Sequence, residues 1–214
     1  MSAQEAGPLR MMLTLGVAGL CSGLILVGVY IATAPRIERN RAEALEKAVF
    51  EVLPGSTSKR AFVRDGDAVV AFEEEGVPKG DAVFAGFDEG GNLIGFAIPA
   101  EGSGFQDVIG LIYGFDPNSR AVIGMRVLRS LETPGLGDKI IKDQDFVSNF
   151  DALAVDPQIE VTKKGRTKPN EVDAISGATI SSKAVVRIIN ESNGRWLEDL
   201  PKVEDKETDV LEQE

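Results

Sequence analysis

Between Met11 and Thr33 the chain runs for 23 residues without a charged side chain. As a helix rising ~1.5 Å per residue, this segment would span about 34 Å, slightly more than a bilayer's apolar core of roughly 30 Å. Cys21 lies mid-run and reads as a small apolar filler. A cleaved secretory signal is the competing reading, but the apolar core of such a signal is usually only ~7–15 residues long. The expectation is one transmembrane helix over residues 11–33, preceded by a short cytoplasmic segment, 1–10. Orientation is open on these grounds alone. Arg10 precedes the span and Arg36, Arg39 and Arg41 follow it, which counts towards a cytoplasmic domain. Large domains are nevertheless translocated against such a bias.

Charge narrows the partners. A net charge of −11 argues against nucleic acid, whose phosphates call for concentrated Lys and Arg. Anionic lipid headgroups would also repel this chain, so contact with membrane lipid runs through Met11–Thr33. Histidine is absent, which removes Ser-His-Asp catalysis, His-based zinc sites and histidine proton shuttles. A single cysteine excludes intramolecular disulfides, CxxC redox pairs and cysteine-held iron–sulfur clusters. No metal is expected, and any electron chemistry must come from an organic cofactor.

The rest of the chain reads as α+β. After Pro35, the residues Leu45, Ala48, Val49, Val52 and Leu53 recur at helical spacing, and Pro54-Gly55 stops them; residues 34–60 are a stalk helix and linker. From Ala61 the pattern changes to short strands: Ala61–Arg64, Ala68–Glu73, Ala82–Phe87, Leu93–Ile98, Val108–Phe115 and Val122–Leu128. Turns such as Glu89-Gly90-Gly91-Asn92 and Asp116-Pro117-Asn118-Ser119 separate them. A helix is expected to begin near Lys142 and a long one to cover Ser182–Leu197. The main domain is 61–200, mostly antiparallel strands wrapped around helices. From Pro201 the last fourteen residues hold six acids and two lysines and read as an acidic flexible tail, 201–214.

The chemistry concentrates in Asp173-Ala174-Ile175-Ser176-Gly177-Ala178-Thr179, followed by Ile180-Ser181-Ser182-Lys183. This is a small-residue loop entering an apolar helix. Gly177 permits close backbone approach, and Ser181 or Ser182 offers a helix cap. The helix start presents unpaired N–H groups and a positive dipole end, which suit a phosphate, with the Thr179 hydroxyl beside it. An ordinary capped turn without a ligand fits the same residues. GxxxxGK[ST] and GxGxxG do not occur, so the common phosphate-loop motifs are excluded, and Ser181 and Ser182 stand too close to Lys183 to form an SxxK nucleophile.

Ser176-Gly177-Ala178-Thr179 with Asp173 upstream resembles the flavinylation motif of the FMN-binding domain family. Glu132-Thr133-Pro134-Gly135-Leu136-Gly137 resembles a signature of the G subunit of the Rnf electron-transport complex and of the related C subunit of the Na⁺-translocating NADH:quinone reductase. Gly102–Gly104, Gly110–Asp116 and the helix end Val52–Gly55 extend the likeness over almost the whole chain, and its compactness is closer to the Rnf protein. The resemblance implies FMN attached covalently, through its phosphate, to Thr179 by a flavin transferase. Ser176, Gly177 and Ala178 would shape the loop, or serve as turn geometry alone. Thr133, Leu136 and Gly137 would contact the flavin, a structural turn being the alternative. Lys164 would match a lysine near the flavin, although a solvated turn lysine is as natural and Lys163 stands beside it. The resemblance also implies a single-pass protein of the cell inner membrane. Its flavin domain would be extracytoplasmic, and it would relay electrons beside the other subunits of an ion-translocating ferredoxin:NAD⁺ oxidoreductase. The C subunit of the quinone reductase, a stand-alone FMN carrier, a serine hydrolase or a non-redox scaffold are the other readings. Ester-hydrolysing activity, bound flavin and co-purifying partners separate them.

Overall fold

The computed structural model describes residues 7–66, 68–74, 76–78 and 80–203. Most of the expected acidic tail and the first six residues therefore lie outside the described residues. Helix α1, Pro8–Val52, contains Pro35 inside it, whereas the sequence suggested an anchor and a stalk meeting at that proline. Proline forfeits one N–H bond but leaves the turns on either side their own bonds, so helical structure continues across it. Leu13, Leu24, Leu26 and Ile31 are exposed, without protein cover. Among the described residues α1 is the one helix long and apolar enough to cross a membrane. The chain divides into two units, Met1–Glu43 and Ala44–Glu214.

The second unit is built on a seven-stranded sheet in the order β2-β1-β3-β4-β5-β6-β7. Its strands are β1 Ser58–Asp65, β2 Ala68–Ala71, β3 Ala82–Phe87, β4 Leu93–Ser103, β5 Val108–Asp116, β6 Ala121–Arg129 and β7 Leu153–Ala154. Every pairing in it is antiparallel. A separate parallel pair joins β8, Glu160–Thr162, to β9, Glu171–Asp173. The helices are α2 Lys139–Lys142, α3 Gln144–Ser148 and α4 Thr179–Trp196. The α+β class read from the sequence is the one observed.

Both faces of the sheet are covered, and the period-2 alternation of strands decides which residue faces which layer. Val83, Ala85, Phe96, Ile98, Leu111, Tyr113 and Phe115 point into a large core shared with Ile188, Ile189 and Trp196 of α4. The residues between them, Phe84, Ala97 and Ile112, point the other way and pack on Ala48, Val49, Val52 and Leu53 at the end of α1. Glycines make that second contact possible. A Cβ on Gly86 would come within 2.6 Å of Leu53, and one on Gly114 would collide with the Val52 carbonyl.

The C-terminal end of α4 is fixed to β1. The Arg64 guanidinium lies over the Trp196 ring, 4.6 Å from its centroid. Its nitrogens donate to Asp199 Oδ2 at 3.0 Å and to the Arg195 carbonyl at 2.8 Å. Underneath, the buried Tyr113 hydroxyl donates to Asn193 Oδ1 at 2.8 Å. Burial raises the Tyr113 pKa above the ordinary tyrosine value, which keeps the hydroxyl a neutral donor. The helix is thereby held in place for whatever its N-terminal end must do.

Candidate functional site

The chain leaves β9 through a tight turn before α4 starts. The Ala178 N–H donates to the Ile175 carbonyl at 3.0 Å, and Gly177 sits at φ +83°. Nothing lies within 4 Å of the place a Gly177 Cβ would take. Glycine is needed there for its backbone angle, not for space.

Helix α4 starts at Thr179, three residues before the expected Ser182, and its N-cap is Ala178, which supplies no side-chain bond. Ser181 and Ser182 are therefore not caps. Both are buried in the first turn and bond inward. Ser181 Oγ donates to Glu132 Oε2 at 2.5 Å. Ser182 Oγ donates to the Ala178 carbonyl at 3.0 Å and accepts from the Ile175 N–H at 3.2 Å. The small hydroxyls find better partners inside than at the helix end. The amides of Thr179, Ile180 and Ser181 consequently have no acceptor among the described residues. Thr179 is half-buried, and its hydroxyl lies 3.5 Å from the Ile175 carbonyl, the outer limit of a hydrogen bond. That hydroxyl is only loosely committed to the protein.

The facing wall is the Glu132–Gly137 loop. Gly135 takes φ +78° and its N–H donates to Asp138 Oδ1 at 2.7 Å, while Lys142 Nζ lies 2.5 Å from Asp138 Oδ2. The lysine contact, above all, holds the Asp138 carboxyl below the usual aspartate range. Gly137 packs on Glu132 so closely that a Cβ would approach its Cβ to 2.7 Å. Between the two walls lies a cleft of about 380 Å³ that Thr133, Leu136, Gly137, Gly177, Ala178 and Thr179 line together with Phe105, Glu132, Ile180 and Ser181.

Ser176 and Lys164 do not join them. Ser176 is exposed on the other side of the same turn, lining a second cleft of about 530 Å³ with Asp173, Lys139 and Arg166. Lys164 is exposed just past β8, its N–H donating to Thr162 Oγ1 at 3.2 Å.

Glu132 is the residue the sequence reading passed over. Its carboxylate is buried, yet it has no basic partner among the described residues. Oε1 accepts from the N–H groups of Phe105 and Gln106 at 2.8 and 2.9 Å, and Oε2 accepts from Ser181. Burial alone would raise its pKa; the hydrogen bonds from Ser181, Gln106 and Phe105 outweigh that effect and hold it below the ordinary glutamate value. One ionised group thus joins the β4–β5 turn, the Glu132–Gly137 loop and α4 around the cleft. The clue available in the sequence is the pair of glycines, Gly104 and Gly137, whose Cβ positions the Glu132 side chain occupies.

Chemically, the cleft combines two features. An uncapped helix start offers amides and a positive dipole end to a phosphate. Leu136, Ile180 and Phe105 keep 53%, 59% and 62% of their surface exposed around it, an apolar shelf suited to a flat ring. These donors and this shelf fit a flavin mononucleotide.

Residues 104–192 match the FMN-binding domain family. Over 182 residues the chain is 30% identical to the G subunit of the ion-translocating oxidoreductase complex of Methanosarcina acetivorans, covering 83% of this chain and 88% of that one. The chain belongs to the G-subunit family of ion-translocating oxidoreductase complexes. Within that family it is 28% identical to the G subunit of the proton-translocating ferredoxin:NAD(+) oxidoreductase complex of Clostridium ljungdahlii, over 80% of this chain and 82% of the relative. The G subunit of the ion-translocating oxidoreductase complex of Cereibacter sphaeroides is 29% identical over 87% and 83%. This family member shares its fold with NqrC of Shewanella oneidensis, at a TM-score of 0.59 and 17% identity over 75% of this chain and 97% of the other. The C subunit of the Na(+)-translocating NADH-quinone reductase from Parabacteroides distasonis has it too, at 0.57 and 19% over 78% and 96%.

Proposed function

We propose that this chain is a membrane-anchored flavoprotein that relays electrons within an ion-translocating ferredoxin:NAD⁺ oxidoreductase, carrying FMN on Thr179 through a phosphoester. The observation that carries the reading is the meeting, in one cleft, of the Thr179 hydroxyl, the uncapped start of α4 and the Glu132–Gly137 loop. FMN supplies the electron-accepting and electron-donating chemistry, which no side chain of this histidine-free, single-cysteine protein provides.

The protein's own part is placement. Amides of Thr179, Ile180 and Ser181 receive the phosphate, and Leu136 and Ile180 give the ring an apolar floor. Attachment requires Thr179 Oγ to form a bond to the FMN phosphorus of FAD. The phosphoanhydride breaks, AMP leaves and the hydroxyl gives up its proton; the family's transferase would catalyse the exchange. A half-buried hydroxyl with a 3.5 Å internal contact is free for that step. Tethering removes dissociation, which suits a carrier on the extracytoplasmic face of the inner membrane. There the other subunits would be its electron partners and α1 its anchor. A reporter fused after Glu214 and active only in the cytoplasm would overturn that placement.

Thr179→Ala tests the attachment. Intact mass spectra of the full chain, made in cells containing the transferase, should show the mass of FMN minus water on the wild type and none on the variant. An unmodified wild type would sink the covalent reading.

A further inference from the structure

Among the described residues of the unit Ala44–Glu214, Phe105 is the exposed aromatic: every other Phe, Tyr or Trp there is buried or half-buried. Its backbone is tightly restrained. Phe105 sits at the tip between β4 and β5, where its N–H and that of Gln106 donate to the buried Glu132 carboxylate. The Gly104 N–H closes the turn on the Asp107 carbonyl at 2.7 Å. Arg187 of α4 donates to the Ser103 carbonyl at the foot of the same turn. Space is tight enough that a Cβ on Gly104 would come within 2.8 Å of Ile109 Cδ1.

A clamped backbone with a bare aromatic ring indicates a side chain kept ready for something flat to cover it. Phe105 lines the same cleft as Thr179, Leu136 and Ile180. Any group tethered to Thr179 is confined beside it at high effective concentration, which favours the tethered ring over a second protein as the occupant.

We propose that Phe105 is the aromatic face against which the isoalloxazine ring of the Thr179-linked FMN packs. The inference rests on the flavin reading above and adds the residue that orients the ring. Offset aromatic packing favours the seated ring by roughly two- to tenfold over the swung-out one. Phe105 is then what keeps the ring on the shelf.

The test uses the full-length protein, loaded in cells containing the transferase, with FMN content read by intact mass for every variant. Tryptophan quenches flavin emission by electron transfer near van der Waals contact. Phe105→Trp should therefore lower the emission per bound FMN about twofold or more, the seated ring being the favoured state. Val70→Trp, on the exposed β2 away from the cleft, should leave it unchanged. Phe105→Ala should release the ring, seen as a faster decay of flavin fluorescence anisotropy. Loaded Phe105→Trp with undiminished emission, together with loaded Phe105→Ala of unchanged anisotropy decay, would overturn the role of Phe105 while leaving the flavin reading intact. A wild type without FMN would overturn both, and is distinguished by its mass.

Discussion

At the residue scale, a single carboxylate explains more of the site's shape than the residues expected to contact the flavin do. Glu132 receives three hydrogen bonds and fixes two glycines, so the cleft's walls are as rigid as its ionisation allows. Glu132→Gln keeps the shape but offers an amide NH₂ to groups that are already donors. The loss should be about 1.5–3 kcal/mol, the usual worth of hydrogen bonds to a charged group, read by urea unfolding at neutral pH. The pH dependence has a definite sign. The folded pKa lies below the unfolded value of about 4.3, so the stabilisation is complete above that pH. It fades as pH falls through the folded value. Wild-type stability should drop with acid over that window, and the Gln variant should show a shallower slope. Asp138 and Glu171, whose pKa values are also lowered, keep some slope in both. An equally steep slope in the variant would contradict the role given to Glu132. The place of Thr179 beside a helix start was legible beforehand because a small-residue loop running into an apolar stretch marks such a start. Glu132 was not, because a lone glutamate in a Gly- and Pro-rich loop normally reads as solvated, and its partners lie 26 to 49 positions away in sequence.

At the element scale, the positions of the longer strands announced themselves, although β1 begins at Ser58, before the read Ala61, and β4 runs on to Ser103, past the read Ile98; the helix boundaries did not. Ala82–Phe87 was read with its observed limits, and Val108–Phe115 and Val122–Leu128 within a residue at each end, because apolar runs between Gly, Pro and Asn turns leave little choice. The start of α4 was set too late because serine in a first turn resembles a cap in sequence. Only the fold shows that Ser181 and Ser182 have buried partners. The short strands β7, β8 and β9 carry too few residues for any period. Gly86 and Gly114 were given no packing role in the sequence reading, although their use is to admit the end of α1. Gly114 makes this testable. A Cβ there meets the Val52 carbonyl, a backbone atom that cannot swing aside. Gly114→Ala should cost about 1–3 kcal/mol, as overpacking does. Gly110→Ala on the same strand, whose nearest neighbour would be Arg129 Cβ at 3.6 Å, should stay within about 0.5 kcal/mol of wild type. Equal effects of the two substitutions in thermal unfolding would remove the glycine seat for α1 from the account.

At the scale of the molecule, the boundary between anchor and domain is not the end of α1. The compact unit begins at Ala44, inside the helix, because Ala48, Val49, Val52 and Leu53 cover the sheet face formed by Phe84, Ala97 and Ile112. Those four are 2% exposed or less. Burying a Val or Leu side chain is worth about 1.5–3 kcal/mol, so Val49, Val52 and Leu53 together approach the roughly 5–15 kcal/mol by which whole domains are stable. Two truncations follow from this. A chain starting at Ala44 sheds the uncharged span and keeps the cover; it should be soluble without detergent, unfold cooperatively, and accept FMN on Thr179 from the transferase. A chain starting at Pro54 differs only by the last turns of α1 and leaves the sheet face bare. It should aggregate or bind a hydrophobic dye, and take up little flavin, although Thr179, Glu132 and Phe105 are all present. If the Pro54 chain matched the Ala44 chain in unfolding midpoint and flavin load, the end of α1 would be a mere spacer. The site would then owe nothing to the second layer of the fold. If they differ as expected, the cleft depends on a helix that the sequence assigns to the stalk.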